Sequence, residues 1–360
     1  MSEIPQRFTG QAAMEKQNEE NFDLKEWAYT PRAFTEDDVV IKVECCGICG
    51  SDLHTITCGW SPRVAFPAIV GHEIVGKVIR AGSKSGHKLG DRVGFGAQCN
   101  SCRKCPNCAR GLENYCLFGN VGTYQGKTGD KTQPVTQGGY ADFYQGPGHF
   151  AIPIPDAIEP EVAAPMLCAG VTVYSPLKNY GAGPGKRVGI VGIGGLGHLA
   201  LQFSKALGAE TWAISHSERK KDDALKLGAV GFIATKDEKS VLKKHLASFD
   251  LLLVTSNQDD MPLRKLYLPL LKPYGNCIMV GLPNSGLPAP GGSLFGKSVS
   301  ASGIGSPQEL KDMFDLAVQK NVRTWIEKRP MGQATQAVQD MHEGKARYRY
   351  VLVNDDRSKL

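Results

Sequence analysis

Four cysteines in a short segment of this chain have the spacing of a metal site. Cys102, Cys105, Cys108 and Cys116 form the pattern C-x2-C-x2-C-x7-C, and a fifth cysteine, Cys99, lies just ahead of it. Four thiolates at this spacing can converge on one tetrahedral zinc ion. Because four protein ligands leave no coordination position for a substrate, the pattern predicts a structural zinc site. A metal that takes part in chemistry must be bound elsewhere.

A second candidate metal set is spread along the chain. Cys49, His72 and Cys168 offer two thiolates and one imidazole. This is a known three-ligand set for catalytic zinc, and it keeps a fourth position free. Glu73 could bind the metal transiently or lie behind it. Spacing alone cannot pair residues so far apart, and Cys168 could instead be a core thiol, or His72 a buried histidine with its hydrogen bonds satisfied.

A glycine-rich turn predicts a dinucleotide site. It follows a predicted strand at 186–191 and opens a predicted helix at 196–207. In this context the bare backbone can approach a pyrophosphate, whose charge the helix N-terminus favours. The alternative is that the glycines only allow the helix to pack closely on the strand. The candidate cofactor-binding residues are Gly192, Gly194, Gly195, Leu196 and Gly197.

The end of the next predicted strand indicates which dinucleotide is bound. Sites that prefer NAD normally carry an Asp or Glu there, which binds the ribose 2'-hydroxyl. This chain has Ser215 at that position, followed by Ser217, Arg219 and Lys220. No acidic residue stands at this position to repel a 2'-phosphate, and the two cations that follow can bind one. We therefore expect the cofactor to be NADP(H). Glu218 opposes this interpretation, and we expect it to cap the next helix from the solvent side.

Composition narrows the class of protein. A chain of 360 residues with 41% hydrophobic and 22% charged residues is an ordinary globular protein, long enough for two domains. The 42 basic and 36 acidic residues are interspersed, so no nucleic-acid partner is predicted. No apolar run reaches the roughly 18 residues of a membrane span, and the first residues lack a signal-peptide core. We therefore expect an intracellular chain whose 11 cysteines are metal ligands and buried thiols.

The pattern of elements predicts an α/β fold in two domains. The chain before residue 155 is β-rich, with strands expected at 39–43, 74–79 and 92–95, whereas no element is predicted for the first thirty or so residues. From residue 185 strands and helices alternate, which is typical of a doubly wound parallel sheet. A capping box at 306–309 opens a helix that ends near Lys320, and a helix at 333–343 and a strand at 348–353 follow. We expect a catalytic β domain at 1–157, a dinucleotide-binding domain at 158–300, and a return to the first domain at 301–360.

Motifs along nearly the whole chain resemble the zinc-dependent medium-chain alcohol dehydrogenases. They occur in the family's order: G-I-C-G-S-D-L-H at 47–54, G-H-E-I-V-G at 71–76, G-D-R-V at 90–93, the four-cysteine pattern, C-A-G-V-T at 168–172, and the glycine-rich turn. The segments at 214–220 and 303–306 resemble the NADP(H)-dependent cinnamyl alcohol dehydrogenase branch, closest to its fungal members. One departure concerns His216, because those fungal relatives commonly carry arginine there.

The resemblance implies a fold, a set of ligands and an activity. It implies a GroES-like catalytic domain, a Rossmann domain, and a homodimer with two zinc ions and NADP(H). Catalytic zinc would be bound by Cys49, His72 and Cys168, with Glu73 beside it. The activity implied is reversible reduction of medium-chain and aromatic, cinnamyl-type aldehydes to primary alcohols.

Further roles follow from the same resemblance, residue by residue. Ser51 would bond to the alkoxide and relay a proton through the cofactor ribose toward His54, which would exchange it with solvent. Asp52 would hold the metal-binding histidine in one tautomer, and Thr172 would contact the nicotinamide. Trp60 resembles an aromatic wall of the substrate pocket; a core or interface tryptophan is the alternative. The surplus cysteines Cys45, Cys46, Cys58, Cys99 and Cys277 are expected to be buried and free.

Three competing functions remain in view. Quinone reductases of the same fold lack the zinc ligands and the cysteine lobe, both of which are present here. Polyol dehydrogenases usually have glutamate in place of Cys168. A scaffold that had lost activity would show losses among the catalytic residues, and Cys49, Ser51, His54 and His72 are intact.

The last three residues predict a location. Ser358, Lys359 and Leu360 form the tripeptide that is recognised as a peroxisomal address at a free C-terminus. The residues at 354–357 are polar, which favours exposure of the tripeptide to an import receptor. The sequence therefore predicts a peroxisomal protein, with the cytoplasm as the alternative.

The location is tested with a fluorescent protein fused to the N-terminus, which leaves Leu360 free. We expect punctate fluorescence that coincides with a peroxisomal marker, because the receptor requires the exposed tripeptide. The matched control lacks only residues 358–360 and should be diffuse. Diffuse fluorescence from both fusions would contradict the prediction.

Overall fold

The chain folds into two compact units, and each of them is built from segments that are not contiguous in the sequence. The computed structural model describes residues 4–127, 134–281 and 291–354. The first unit holds Met1–Cys168, Gly305–Asp315 and Arg323–Leu360, and the second holds Ala169–Ile304 and Leu316–Val322. The first border differs from the predicted 157/158 because a helical turn at Pro160–Ala163 contacts the long strand of the first unit. The exact domain limits stay predictions.

Strands and helices have the following bounds within the described residues. The strands are β1 (Phe8–Ala13), β2 (Leu24–Tyr29), β3 (Asp38–Gly47), β4 (Ala68–Ile69), β5 (Ile74–Ala81), β6 (Arg92–Phe95), β7 (Gln98–Asn100), β8 (Val121–Gly122), β9 (Phe143–Pro147), β10 (Ile152–Pro153), β11 (Arg187–Val191), β12 (Glu210–Ser215), β13 (Gly231–Ala234), β14 (Phe249–Val254), β15 (Leu271–Met279), β16 (Ser298–Ala301), β17 (Ile326–Pro330) and β18 (Arg349–Val353). The helices are α1 (Gly50–Ile56), α2 (Pro106–Ala109), α3 (Pro160–Ala163), α4 (Ala169–Asn179), α5 (Gly197–Ala206), α6 (Lys221–Lys226), α7 (Glu238–His245), α8 (Leu268–Leu270), α9 (Pro307–Lys320) and α10 (Ala334–His342).

A mixed sheet forms the body of the first unit. Its strands run in the order β10-β6-β5-β3-β18-β17, and β9 also pairs with β3. Strand β3 is antiparallel to β5 and to β18, so the C-terminal strand lies within the sheet of the N-terminal residues. The strands predicted at 39–43, 74–79, 92–95 and 348–353 are confirmed within a few residues. Strands β1 and β2 were not predicted, because β2 reads L-K-E-W-A-Y and its inner and outer faces differ little in polarity.

A six-stranded parallel sheet forms the second unit. Its order is β13-β12-β11-β14-β15-β16 and every neighbouring pair is parallel. Counted from β11, this is the order 3-2-1-4-5-6 of the doubly wound dinucleotide-binding sheet, with its switch point between β11 and β14. The predicted α/β fold class is therefore confirmed. Val188 and Ile190 of β11 are fully buried, as expected for a central strand covered on both faces.

The helices predicted at 196–207, from the capping box to Lys320, and at 333–343 are confirmed within a few residues. Helix α6 is preceded by a 3-10 turn, Glu218–Lys220, and α8 by a π turn, Leu263–Tyr267. Helix α7 was missed because half of its residues are charged and only Val241 is buried, which leaves no apolar stripe to recognise. The capping box at α9 is present: the Ser306 N–H donates to Glu309 Oε2 at 2.9 Å, and the Glu309 N–H donates to Ser306 Oγ at 3.3 Å.

Two remaining expectations concern membranes and the C-terminus. No helix in the described part of the chain is long and apolar enough to cross a membrane. The tripeptide Ser358-Lys359-Leu360 lies outside the described residues. Peroxisomal import stays a prediction.

Candidate active site and metal centres

The buried carboxylate of Asp52 fixes the segments that carry two candidate ligands. Asp52 lies in the first turn of α1, where its Oδ2 accepts the backbone N–H of Cys49 at 2.9 Å and closes the helix start. Its Oδ1 accepts the N–H of Gly71 at 3.1 Å and lies 2.9 Å from Nδ1 of His72. The hydroxyl of Tyr140 donates to Oδ2 at 2.9 Å. The contact of Asp52 with His72 was predicted from the sequence, whereas that with Tyr140 was not.

Four candidate ligands converge beside this carboxylate. The ligand atoms of Cys49, His72, Glu73 and Cys168 all lie within 4.8 Å of one another. With Nδ1 of His72 engaged by Asp52, its Nε2 lies 3.1 Å from Sγ of Cys168. A carboxylate on one ring nitrogen is the usual arrangement that presents the other nitrogen to a metal.

The chemistry of this donor set fits zinc. Two sulfur atoms and one imidazole nitrogen are ligands that zinc prefers, and a carboxylate oxygen is a further candidate. The hydrogen bond from Cys168 holds the pKa of the Cys49 thiol well below its usual range, which favours the thiolate that a metal binds. The described residues thus form an open set of the catalytic type.

Glu73 adds a carboxylate with one uncommitted oxygen. Its Oε1 accepts a hydrogen bond from the buried guanidinium of Arg349, while Oε2 has no hydrogen-bond partner among the described residues. Burial raises the pKa of Glu73 to about 7. A Cβ on residue 47 would collide with Oε2, so Gly47 is needed at the end of β3. Arg349 was missed, although an arginine opening the apolar strand R-Y-V-L-V is a signal for a buried partner.

The four-cysteine lobe forms a separate, closed cluster. The sulfur of Cys108 lies 3.8 Å from that of Cys102 and 3.5 Å from that of Cys105. Backbone N–H groups of Lys104 and Cys105 donate to the Cys102 sulfur at 3.4 and 3.3 Å. A hydrogen bond from the Cys108 backbone lowers the pKa of Cys105 to about 6, which favours a thiolate. With Cys116 in the same cluster, the set matches a structural zinc site.

Surplus cysteines lie outside both clusters. Cys45, Cys46, Cys99 and Cys277 are buried and free, as expected. Burial raises the pKa of Cys99 to about 11, and its thiol donates to the Gly122 carbonyl at 3.2 Å rather than joining the lobe. Burial was the wrong expectation for Cys58, which is only half-buried, because it lies between the buried end of α1 and the exposed Gly59 and Trp60.

The candidate proton-transfer residues share one helix. Ser51 and His54, three residues apart on α1, lie on one face, and Ser51 Oγ is 3.6 Å from the Cys49 sulfur. Trp60 lies just beyond the helix, is 61% exposed, and stacks on His54 with ring centroids 4.7 Å apart. Thr172 lies on α4 of the second unit and is buried. The roles of these residues in catalysis stay predictions.

The glycine-rich turn connects β11 to α5 in the second unit. Gly192 has φ +88°, a conformation that favours glycine. A Cβ on Gly197 would collide with the Gly192 carbonyl, whereas a Cβ on Gly194 would meet no atom within 4 Å. The turn therefore packs tightly at its ends and stays open in the middle, next to the helix N-terminus. This geometry suits a pyrophosphate.

The end of β12 lies beside this turn. Ile214 of β12 pairs with Val191 of β11, so Ser215 and the glycine turn follow adjacent strand ends. The ammonium of Lys220 donates to the Ile193 carbonyl at 2.6 Å, which places its charge at the turn. The Arg219 guanidinium donates to Ser217 Oγ at 3.4 Å. Glu218, as expected, is exposed; its nearest ion pair is Lys221 at 3.9 Å.

Comparison with known families and proteins agrees with these geometries. Residues 35–156 match the alcohol dehydrogenase GroES-like domain, and residues 195–319 match the zinc-binding dehydrogenase family. The chain is 41% identical to NADP-dependent alcohol dehydrogenase 6 of Saccharomyces cerevisiae over 98% of both sequences. It is also 41% identical to a probable mannitol dehydrogenase of Mesembryanthemum crystallinum, over 97% of this chain and 95% of that one.

Solved structures of cinnamyl alcohol dehydrogenases resemble this chain over nearly its whole length. A cinnamyl alcohol dehydrogenase of Sorghum bicolor superposes with a TM-score of 0.89 at 36% identity, covering 96% of this chain and 97% of that one. The Helicobacter pylori enzyme complexed with NADP(H) superposes with a TM-score of 0.87 at 30% identity, with 96% and 98% covered. The chain belongs to the zinc-dependent medium-chain alcohol dehydrogenases, in the cinnamyl alcohol dehydrogenase branch. It is an enzyme of alcohol and aldehyde oxidoreduction.

Metal content tests the assignment of the two cysteine sets. We expect two zinc ions per purified chain, because two separate ligand sets are formed. Cys116→Ser should lose one ion and lower the temperature of unfolding, since the binding energy of a structural zinc is folding energy. The matched control, Cys99→Ser, removes a buried neighbouring thiol and should keep both ions. Elemental analysis that finds one zinc in the wild type, or a loss in Cys99→Ser, would refute the assignment.

Proposed function

We propose that this enzyme reduces aldehydes to primary alcohols with NADPH, reversibly, and that its substrates are medium-chain and aromatic, cinnamyl-type aldehydes. The observation that carries the proposal is the open metal set of Cys49, His72 and Cys168, built in a chain that also has cations after β12. The relatives support the reaction but not one substrate, since their names include dehydrogenases of mannitol, 8-hydroxygeraniol and cinnamyl alcohol.

The first unit would bind the metal and orient the aldehyde. Cys49, His72 and Cys168 would hold the zinc ion, which when bound polarises the aldehyde oxygen, while NADPH supplies the hydride. Asp52 keeps Nε2 of His72 directed at this site. Arg349 binds one carboxylate oxygen of Glu73 and leaves the other, Oε2, beside the ligands, from where Glu73 would be able to bind the metal transiently.

Ser51 and His54 would supply the proton that completes the reduction. The aldehyde gains a hydride at carbon and a proton at oxygen, so one proton per turnover must come from solvent. Ser51 Oγ, near the Cys49 sulfur, would donate to the substrate oxygen. His54, on the next turn of the helix and half-buried, would return a proton from solvent.

The second unit would bind NADPH. The backbone of the glycine turn at 192–197 would receive the pyrophosphate, and Thr172 would contact the nicotinamide. Ser215, Ser217 and Arg219 would bind the 2'-phosphate. Lys220 lies at the same strand edge through its bond to Ile193 and adds positive charge there.

The remaining site residue, Trp60, is proposed as a wall of the substrate pocket. It exposes an indole face, which suits planar, conjugated aldehydes. A polyol would gain little from such a surface. Mannitol nevertheless belongs in the substrate panel, because a probable mannitol dehydrogenase is among the relatives.

Cofactor preference tests the proposal with purified protein. We expect kcat/KM with NADPH to exceed that with NADH by at least about tenfold, equivalent to about 1.4 kcal/mol. Arg219→Ala should remove most of this preference by raising the KM for NADPH, because the phosphate loses a charged donor. Arg264→Ala, an exposed arginine elsewhere in the second unit, is the matched control. Equal use of both cofactors by the wild type would mean that His216 and Glu218 outweigh the cations.

We further propose that two copies form a homodimer through the edge of β16. This strand ends the parallel sheet and pairs on one side only among the described residues. Nearby Phe295 and Tyr274 are 85% and 88% exposed. An open edge with exposed aromatic side chains is suited to pairing with a second chain. Sedimentation at micromolar concentration should give twice the 38.9 kDa of one chain; a single-chain mass would exclude the dimer.

The peroxisomal import receptor remains a proposed partner. It rests on the terminal tripeptide alone, and the pair of fluorescent fusions described above decides it. The cytoplasm is the alternative location.

A further inference from the structure

Helix α1 ends in a turn in which the residues after the helix donate hydrogen bonds back to carbonyls of its last turn. The N–H of Gly59 donates to the His54 carbonyl at 2.8 Å, and the N–H of Cys58 donates to the Thr55 carbonyl at 3.0 Å. These two bonds form a Schellman motif, in which the residue after the helix cap is left-handed. That residue is Cys58, with φ 59°, where glycine is more usual.

This turn places an indole flat against an imidazole. Trp60 follows directly, and its ring lies over that of His54 with 4.7 Å between centroids and 17° between planes. Gly59 leaves room for the imidazole, since a Cβ there would lie 3.1 Å from Nδ1 of His54. Trp60 is 61% exposed, so much of the indole still contacts solvent. One face of the half-buried His54 is therefore covered by a side chain that contacts solvent itself.

We propose that Trp60 is a positioning residue for His54, in addition to any contact it makes with substrate. The inference rests on the proposed function of His54 in proton exchange. An imidazole near the end of a short helix can adopt several side-chain rotamers, and each directs its nitrogens differently. An indole stacked on His54 keeps the imidazole in one plane, and both imidazole nitrogens then lie at the edge of the stacked pair, where they can form hydrogen bonds. Proton exchange through His54 is then faster because fewer conformations are unproductive.

A substrate wall and a positioning residue predict different kinetics. A wall acts through binding, so Trp60→Ala would raise KM for cinnamaldehyde and leave acetaldehyde unaffected. A positioning residue acts on the proton step whatever the aldehyde. Trp60→Ala should then lower the single-turnover rate about tenfold with both aldehydes, a part of the 10²–10⁴-fold that a positioned acid–base group contributes. The solvent deuterium isotope effect should rise together with this loss, and Trp60→Phe should restore much of the rate.

The decisive experiment is a double-mutant cycle with His54. In the His54→Asn background we expect Trp60→Ala to have no further effect on the acetaldehyde rate, because the residue that it positions is gone. Trp27→Ala is the matched control: Trp27 also stacks in the first unit, on Tyr29, with 5.8 Å between centroids and 18° between planes. It should leave the rate unchanged. The proposal would be overturned if the rate loss of the double mutant equalled the product of the losses caused by Trp60→Ala and His54→Asn alone.

A spectroscopic measurement checks the stack without any activity. In protein labelled with 13C-histidine, the His54 ring protons should lie upfield through the indole ring current, and move downfield in Trp60→Ala but not in Trp27→Ala. His54→Asn assigns the signal. No shift in Trp60→Ala would overturn the proposal. A wild type that reduces no aldehyde with either cofactor would instead overturn the proposed function, so the two failures are distinguishable.

Discussion

Four hydrogen-bond donors from three separate segments meet on the carboxylate of Asp52. They come from the start of α1, from the Gly71-His72 pair and from Tyr140. A fully buried carboxylate is costly unless its lone pairs are satisfied, and here both oxygens accept bonds. Removing this group would leave four polar groups unpaired and free two ligand segments to move. Metal geometry and local folding therefore depend on the same side chain.

The strand order explains how ligands distant in sequence come together. Cys46 of β3 pairs with Ile74 of β5, so the end of one strand lies beside the start of the other. Cys49 follows β3 and His72-Glu73 precede β5, which brings both to the same edge. On the opposite side of β3, Val351 pairs with Gly47, and Arg349 is two residues before it in β18. The C-terminal strand thus supplies the cation for a carboxylate in the N-terminal region.

Local features of the site could be predicted from sequence, and remote ones could not. The cysteine lobe and the glycine turn lie within short segments, so spacing alone indicated them. That Cys49 and Cys168 belong to the same metal site could be predicted only from the family resemblance. The two residues are far apart in sequence, and no local pattern indicates that they meet. The Trp60–His54 stack was not foreseen, since it requires a left-handed Cys58, a conformation that cysteine rarely adopts. The same holds for the bond of Lys220 to Ile193, which depends on neighbouring strands.

The two cysteine sets differ in how their negative charge is balanced. In the lobe, nearby backbone N–H groups donate to the sulfur of Cys102, so part of the compensation comes from the same short segment. In the open set, the three potential anions Cys49, Glu73 and Cys168 lie close together, and the guanidinium of Arg349 donates to one of them, Glu73. Burial raises the pKa of Glu73 to about 7, and the hydrogen bond with Cys49 raises the pKa of Cys168 well above its usual range, so both groups favour their protonated forms. Metal binding at this set therefore competes with protons and releases them, which couples the assembly of the site to its ligands' ionisation.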